Sequence, residues 1–206
     1  MTAAMIAAFD VHYFRDDRER STSPSPLGRG QRSAINCGSF LSGKPRAFRA
    51  GGLHSASAAA VLFREYSDAE SAAEYSAIIR EVAHYVAGQF YRRELPCILR
   101  LIEQLDEAPD EMVIDGYVTL GKKPGLGQYL FESFGGRIPV VGVAKSRYRT
   151  APGIEVLRGR SKRPLYVTSA GIDPHLAAER IKAMHGPHRV PTLLRRVDLL
   201  ARQGAR

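Results

Sequence analysis

Met112 to Val118 reads MVIDGYV, an apolar run that ends on an aspartate and a glycine. Three consecutive large apolar residues predict a strand buried in a sheet, and Asp115-Gly116 predicts its interruption. An ionised carboxylate at such a place is costly unless something positive faces it. The same pattern occurs once before. Met5 to Tyr13 (MIAAFDVHY) is another short apolar run, with Asp10 bracketed by Ala7, Ala8, Phe9 and Val11. If the two strands are neighbours, Asp10 and Asp115 meet.

Reading outward, Pro139 to Lys145 (PVVGVAK) and Ser57 to Phe63 (SAAAVLF) are two further buried strands. Glu155 to Arg158 and Leu165 to Ser169 are spaced to pair as a hairpin. Helices are expected at Asp68 and Glu70 to Ala83, with Ala73, Ala77, Ile78 and Val82 on one face, and at Glu94 to Leu105, with Pro96 in the first turn. Gly125 to Phe134 reads as a third. Asp173-Pro174 is an N-cap followed by a first-turn proline, opening a helix to Met184. Pro191 to Gln203 closes the chain as a helix that buries Leu193, Leu194, Val197, Leu200 and Ala201. Strands interleaved with helices describe an α/β domain with a mixed sheet and helices on its faces.

Size and charge narrow the function. With 206 residues and 44% hydrophobic content, one domain over 1–206 can build a core without metal or disulfide staples. Two cysteines are too few for a disulfide framework, which fits a reducing cytoplasm. The N-terminus lacks a basic region and its apolar run is broken by Asp10, so no signal peptide is expected. No stretch is long enough to span a membrane. The net charge of +9 favours an anionic partner, with nucleic acid the first to test. From Arg15 to Ala50, eight basic residues face three acids around STSPSPLGRGQRS. So little apolar surface predicts a flexible basic insertion, either a tolerated surface loop or an arm that tracks phosphates.

The acids carry the chemistry. Asp10, Asp115, a helix acid at Glu94 and a late helix acid at Asp198 can converge on one point. Such a cluster repels itself unless hard divalent cations neutralise it, and magnesium binds through a few carboxylates plus phosphate oxygens. Carboxylates gathered in a basic protein therefore point to metal-dependent phosphodiester chemistry. Taken singly, each acid has a plainer alternative, pairing with one of the many arginines or capping a turn. Other signals carry little. Gly121 to Gly127 lacks the GK[ST] of a phosphate loop, so no nucleotide cofactor is expected. His185 and His188 sit in a Pro-Gly turn, and Ser169 has no nucleophile elbow.

With these residues in place, the chain resembles the endonuclease V family of inosine-directed nucleases from about Met5 to Arg202. The resemblance rests on FDVHY at Asp10, FYRRELPCIL around Glu94, VIDGYV at Asp115, VVGVAK ending at Lys145, RPLYVTSAG from Arg163 and HRVPTLLRRVD ending at Asp198. It implies a ribonuclease-H-like fold and cleavage of the second phosphodiester 3′ to a deaminated purine in DNA or RNA. The cofactor implied is Mg²⁺, with Mn²⁺ as a substitute, held by Asp10, Glu94, Asp115 and Asp198. Lys145 matches a lysine near the scissile phosphate, Tyr85 the strand-separating wedge, and Gly88 and Gly116 positions where a flipped base approaches the backbone. A monomer is expected.

The chain departs from the family pattern at two of its motifs, and its Arg15 to Ala50 segment stands where the family has a short turn between strands. The wedge reads His84, Tyr85, Val86, Ala87, Gly88 in place of PYxPG, and Gly121 stands where DGxGxxHPR has its histidine. Lys122 and Lys123 either restore positive charge there or form a solvated turn. These departures keep open a nuclease of this fold without hypoxanthine specificity. A non-catalytic nucleic-acid-binding protein, its acids purely structural, is the second alternative.

Overall fold

A computed structural model describes residues 4–15, 54–80, 82–83, 86, 89–149 and 153–204. Apart from Arg15, the expected basic insertion lies outside them. β1 (Ile6–Arg15) runs parallel to β4 (Glu111–Asp115), and β4 parallel to β7 (Val140–Ala144). Against β1 lies antiparallel β2 (His54–Phe63), followed by β3 (Ala73–Ile79) on the edge. Beyond β7 come β9 (Leu165–Ala170) and β8 (Ile154–Val156), the expected hairpin, in register Val156↔Leu165. The seven-stranded order is β3-β2-β1-β4-β7-β9-β8. A small hairpin, β5 (Thr119–Leu120) and β6 (Lys123–Pro124), stands apart from that sheet.

Alternation along β1 shows how the sheet separates two cores. Ala7 and Phe9 pack with Met112, Ile114 and Leu62 under α1 (Tyr91–Ile102) and α2 (Leu126–Ser133). Ile6 and Ala8 pack with Val113, Val141 and Val143 under α3 (Pro174–Ala183) and α4 (Thr192–Gln203). This is the mixed-sheet, ribonuclease-H-like α/β architecture expected from the sequence. Asp173 caps α3 as predicted, its Oδ1 accepting the His175 and Leu176 N–H groups at 2.9 and 3.0 Å. No described helix is long and apolar enough to cross a membrane.

Three expectations are corrected. Residues 70–83 hold a strand where a helix was predicted: the spacing Ala73, Ala77 fits a helix, but Ala73, Tyr75, Ala77 and Ile79 turn inward in strict alternation against β2. A period of two and a period near four share those alanines, and edge pairing decides between them. Helix α1 starts at Tyr91, a turn earlier than expected, so Pro96 lies in its second turn, tolerated on the exposed face. β4 ends at Asp115, short of Val118, because Gly116 takes φ +145°, a backbone that L side chains rarely adopt.

Candidate active site

Asp10 lies one residue past Phe9↔Ile114, the last β1–β4 pair, and Asp115 is the final residue of β4. Alternation puts both on the α4 side of the sheet, following Ala8 and Val113. On α4, Leu193, Val197 and Ala201 are buried against the sheet, and Asp198, beside Val197, reaches the same strand ends. One carboxylate oxygen from each of Asp10, Asp115 and Asp198 lies within 4.8 Å of the others.

The loop after Asp115 is held to β7 and β9, beginning with the Gly116 N–H, which donates to the Val143 carbonyl at 3.1 Å. Val118 N–H donates to Thr168 Oγ1 at 2.9 Å, tying the loop to β9. Beneath it, Gly142 of β7 leaves room that no other residue would: a Cβ there would stand 2.6 Å from the Gly116 carbonyl oxygen and 2.8 Å from Thr168 Oγ1. The direction of Asp115 therefore depends on a β7 glycine that sequence patterning passes over as one more residue of a buried strand.

Glu94 comes from the other face. It sits in the first turn of α1, 8% exposed, and with Asp10, Asp115, Ile98 and Leu126 lines a cleft of ≈ 170 Å³. Asp10 and Asp115 also border a second cleft, of ≈ 350 Å³, lined further by Lys145, Leu194 and Val197. They thus form the partition between an α1 side and an α4 side. Glu94 is outside the 4.8 Å group, so the expected four-acid convergence is three acids together and a fourth across the partition.

Electrostatics follow from this crowding. Burial first, then the Asp115 charge, raises the Asp10 pKa to about 7, against the opposing hydrogen bond donated by Val11 N–H at 2.8 Å. Glu94 is pushed up to about 8, chiefly by burial, then by the charges of Asp10 and Asp115. Lys145 Nζ donates to Asp115 Oδ2 at 2.7 Å and stands 3.8 Å from Asp198 Oδ1. Burial works against its charge, but Asp115, Asp198 and Asp10 together hold its pKa above the ordinary lysine value. For Asp198, burial is outweighed by Arg202 and Lys145, which depress its pKa. Arg202 grips both Asp198 oxygens, Nε to Oδ2 at 3.0 Å and Nη2 to Oδ1 at 3.1 Å.

The chemistry of the donor set suits a hard cation. Three carboxylate oxygens converge beside the Lys145 ammonium, and burial together with mutual repulsion holds Asp10 and Glu94 toward neutrality, a state that a divalent ion would relieve. Glu111, a third acid of the sheet, is different: Tyr66 O–H donates to its Oε1 at 2.6 Å and Arg180 pairs with Oε2, so it is satisfied structurally.

Other predicted residues fall out as follows. Tyr85 and Gly88 lie outside the described residues. Gly116 is at the rim, with nothing within 4 Å of where a Cβ would be. Lys122, in the β5–β6 turn, and Lys123, which opens β6, are both exposed. Sequence reasoning missed Arg202, Thr168 and Arg189. Arg189 donates to the Pro164 carbonyl at 2.7 Å and to the Lys145 carbonyl, pinning the strand end from which Lys145 projects. Its only signal was its place inside HRVPTLLRRVD.

A sequence model of the endonuclease V family matches residues 38–160, more than half of the chain. The chain belongs to the endonuclease V family. It is accordingly a nuclease, a phosphodiesterase by class. The matched span includes Glu94, Asp115 and Lys145. Among solved structures, Bacillus subtilis endonuclease V is 17% identical, with 97% of this chain and 79% of that one covered at TM-score 0.65. Streptomyces avermitilis endonuclease V is 22% identical, covering 98% and 81% at TM-score 0.65. Ciona intestinalis endonuclease V, solved in complex with DNA containing an inosine followed by a ribo-adenosine, is 13% identical, covering 98% and 86% at TM-score 0.65. At these identities the likeness is one of fold. No curated protein matches the sequence.

Proposed function

We propose that this endonuclease V nicks DNA or RNA at the second phosphodiester 3′ to deoxyinosine or inosine, leaving a 3′-hydroxyl and a 5′-phosphate. The observation that carries this is the meeting of Asp10, Asp115 and Asp198, from three separate elements, within 4.8 Å in a chain of net charge +9. In this reading Asp10, Asp115 and Asp198 hold Mg²⁺, or Mn²⁺ in its place, and Glu94 serves it from the α1 side. A bound divalent ion supplies Lewis-acid activation of a water nucleophile and neutralises charge at the leaving oxygen.

The chain's own groups do the rest. The Lys145 ammonium, now shared between Asp115 and Asp198, stands ready to offset charge that builds on the phosphate during transfer. Tyr85 fills the gap left by an extruded base, and Gly88 and Gly116 let that base approach the backbone without a Cβ in the way. The supporting cases are the family match and the Ciona relative, whose crystallised partner contains inosine. The protein acts as one nuclease domain, a monomer of the cytoplasm, with the basic insertion at 15–50 as an appendage.

The test is a nicking assay on labelled duplexes with one inosine or none, in Mg²⁺ or in chelator. Cutting one nucleotide beyond the lesion, only in Mg²⁺ and only with inosine, is expected. Equal cutting of both duplexes would replace this reading by a nuclease without hypoxanthine specificity, in line with the altered wedge HYVAG and Gly121. Binding without cutting, unchanged by Asp10→Asn, would make the protein a non-catalytic binder.

A further inference from the structure

The first turns of α1 and α2 carry an aromatic arrangement that the proposed chemistry leaves unused. Tyr91, the first residue of α1, stacks on Tyr129 of α2 with ring centroids 3.9 Å apart and planes at 19°. Arg92, fully solvent-facing, donates from Nε to the Tyr91 hydroxyl at 3.3 Å. Both rings are partly exposed.

Position gives the stack its meaning. Tyr91 precedes Glu94 by three residues, and Tyr129 follows Leu126 by three; residues so spaced are neighbours on a helix surface. Glu94 and Leu126 line the cleft that Asp10 and Asp115 share. The stack is therefore one helical turn from that cleft on both helices. A solvent-facing π surface with a guanidinium beside it, at the border of an acidic cluster in a chain of +9, suits a nucleobase joined to a phosphate backbone. A protein partner has no comparable match here, since nothing beside the rings selects a peptide.

We propose that the Tyr91–Tyr129 pair, with Arg92, is a platform on which an unpaired nucleotide of the substrate strand stacks beside the cleft. This rests on the reading of the cleft as the site of phosphodiester cleavage. The platform supplies affinity and strand placement without reading sequence, since every base offers a π face.

The experiment measures binding of an inosine-free, fluorescein-labelled 20-nucleotide single-stranded DNA to the full chain by anisotropy, in Ca²⁺ at several salt concentrations, with melting curves for each variant. Tyr91→Leu and Tyr129→Leu keep apolar contact between the helices and remove the π faces; each is expected to weaken binding about tenfold, within the range for one stacked base. Tyr129→Phe is expected to bind within twofold of wild type. Arg92→Gln is expected to shrink the slope of log Kd against log salt by about one, whereas the tyrosine variants leave that slope unchanged. Wild-type binding by both leucine variants overturns the proposal; weakened binding that merely tracks a lowered melting temperature hands the decision to a second measurement. In that case a 2-aminopurine strand reports directly on the wild type. Fluorescence quenched on binding supports stacking, and unchanged fluorescence counts against it. Because the probe lacks inosine and is not cut, failure here leaves the nicking result standing, and failure of inosine-directed nicking leaves this binding result standing.

Discussion

Without a divalent cation the protein should become less stable as pH rises through neutrality, and Mg²⁺ should abolish the loss. In the unfolded chain Asp10 and Glu94 ionise at their ordinary values of 3.8 and 4.5, whereas in the fold they hold their protons to about 7 and about 8. Between those limits the folded state binds more protons than the unfolded one, so stability falls with pH and levels off once both carboxyls have ionised. From pH 5 to 7, Asp10 alone accounts for about 2 kcal/mol, the slope of roughly 1.4 kcal/mol per pH unit easing as the carboxyl begins to ionise near pH 7. From pH 5 to 8, Glu94 accounts for about 4 kcal/mol on the same scale. The two charges repel each other, so the contributions share a cause and their sum is an upper bound. For a domain of this size, about 4 kcal/mol corresponds to a fall in melting temperature of roughly 10 °C. Thermal melts in chelator at pH 5, 6, 7 and 8 measure it, repeated in Mg²⁺ and in Asp10→Asn. The variant should make the chelator curve shallower by removing the Asp10 share, since an amide has no proton to lose, and leave a fall from Glu94, whose burial it does not change. A chelator curve that is flat or rises over this range, in a wild type that still binds Mg²⁺, would refute the idea that carboxylates short of countercharge dominate the site.

Three further outcomes are expected. Lys145→Met removes the donor 2.7 Å from Asp115 and should cut the cleavage rate by about a hundredfold while changing nucleic-acid Kd little, read by single-turnover kinetics. Gly142→Ala puts a Cβ against the Gly116 carbonyl and Thr168; it should cost about 1–3 kcal/mol in denaturant melts and lower activity with it. Arg158, 6% exposed, donates to the carbonyls of Lys182 and His188 at 3.2 and 3.0 Å and to that of Met184. Arg158→Leu leaves those carbonyls without a donor and should lower stability by about 3 kcal/mol, with the Mg²⁺ concentration for half-maximal activity unchanged.

The sequence was most legible where one pattern could mean one thing. Apolar runs ending in Asp10 and Asp115 became neighbouring parallel strands whose pairing stops just before Asp10, and Asp173-Pro174 became a capped helix start. It was least legible at residues 70–83, where alanines spaced by four satisfied two periodicities and only pairing with β2 resolved them. At the site, the acids themselves were visible because a carboxylate amid apolar residues is conspicuous. Their supports were not. Gly142 and Thr168 matter through contacts with a loop over twenty residues away in the chain. Arg202 looks like any arginine of a basic helix until α4 is laid on the sheet. That Glu94 approaches from the opposite face depends on which side of the sheet α1 packs, which spacing alone does not decide.

The β1–β2 ladder keeps its register out to Arg15↔His54, five residues beyond Asp10. Whatever the chain carries between those two positions leaves and re-enters through a single gateway one strand spacing wide. A tight turn spliced across that gateway would satisfy the same ladder, and because closure entropy grows only logarithmically with length, a long excursion there is nearly as cheap as a short one. The Arg15↔His54 pairing lies at the end of the sheet that bears the acids, so the two strands stay locked in register past Asp10 on the side from which the carboxylates are reached.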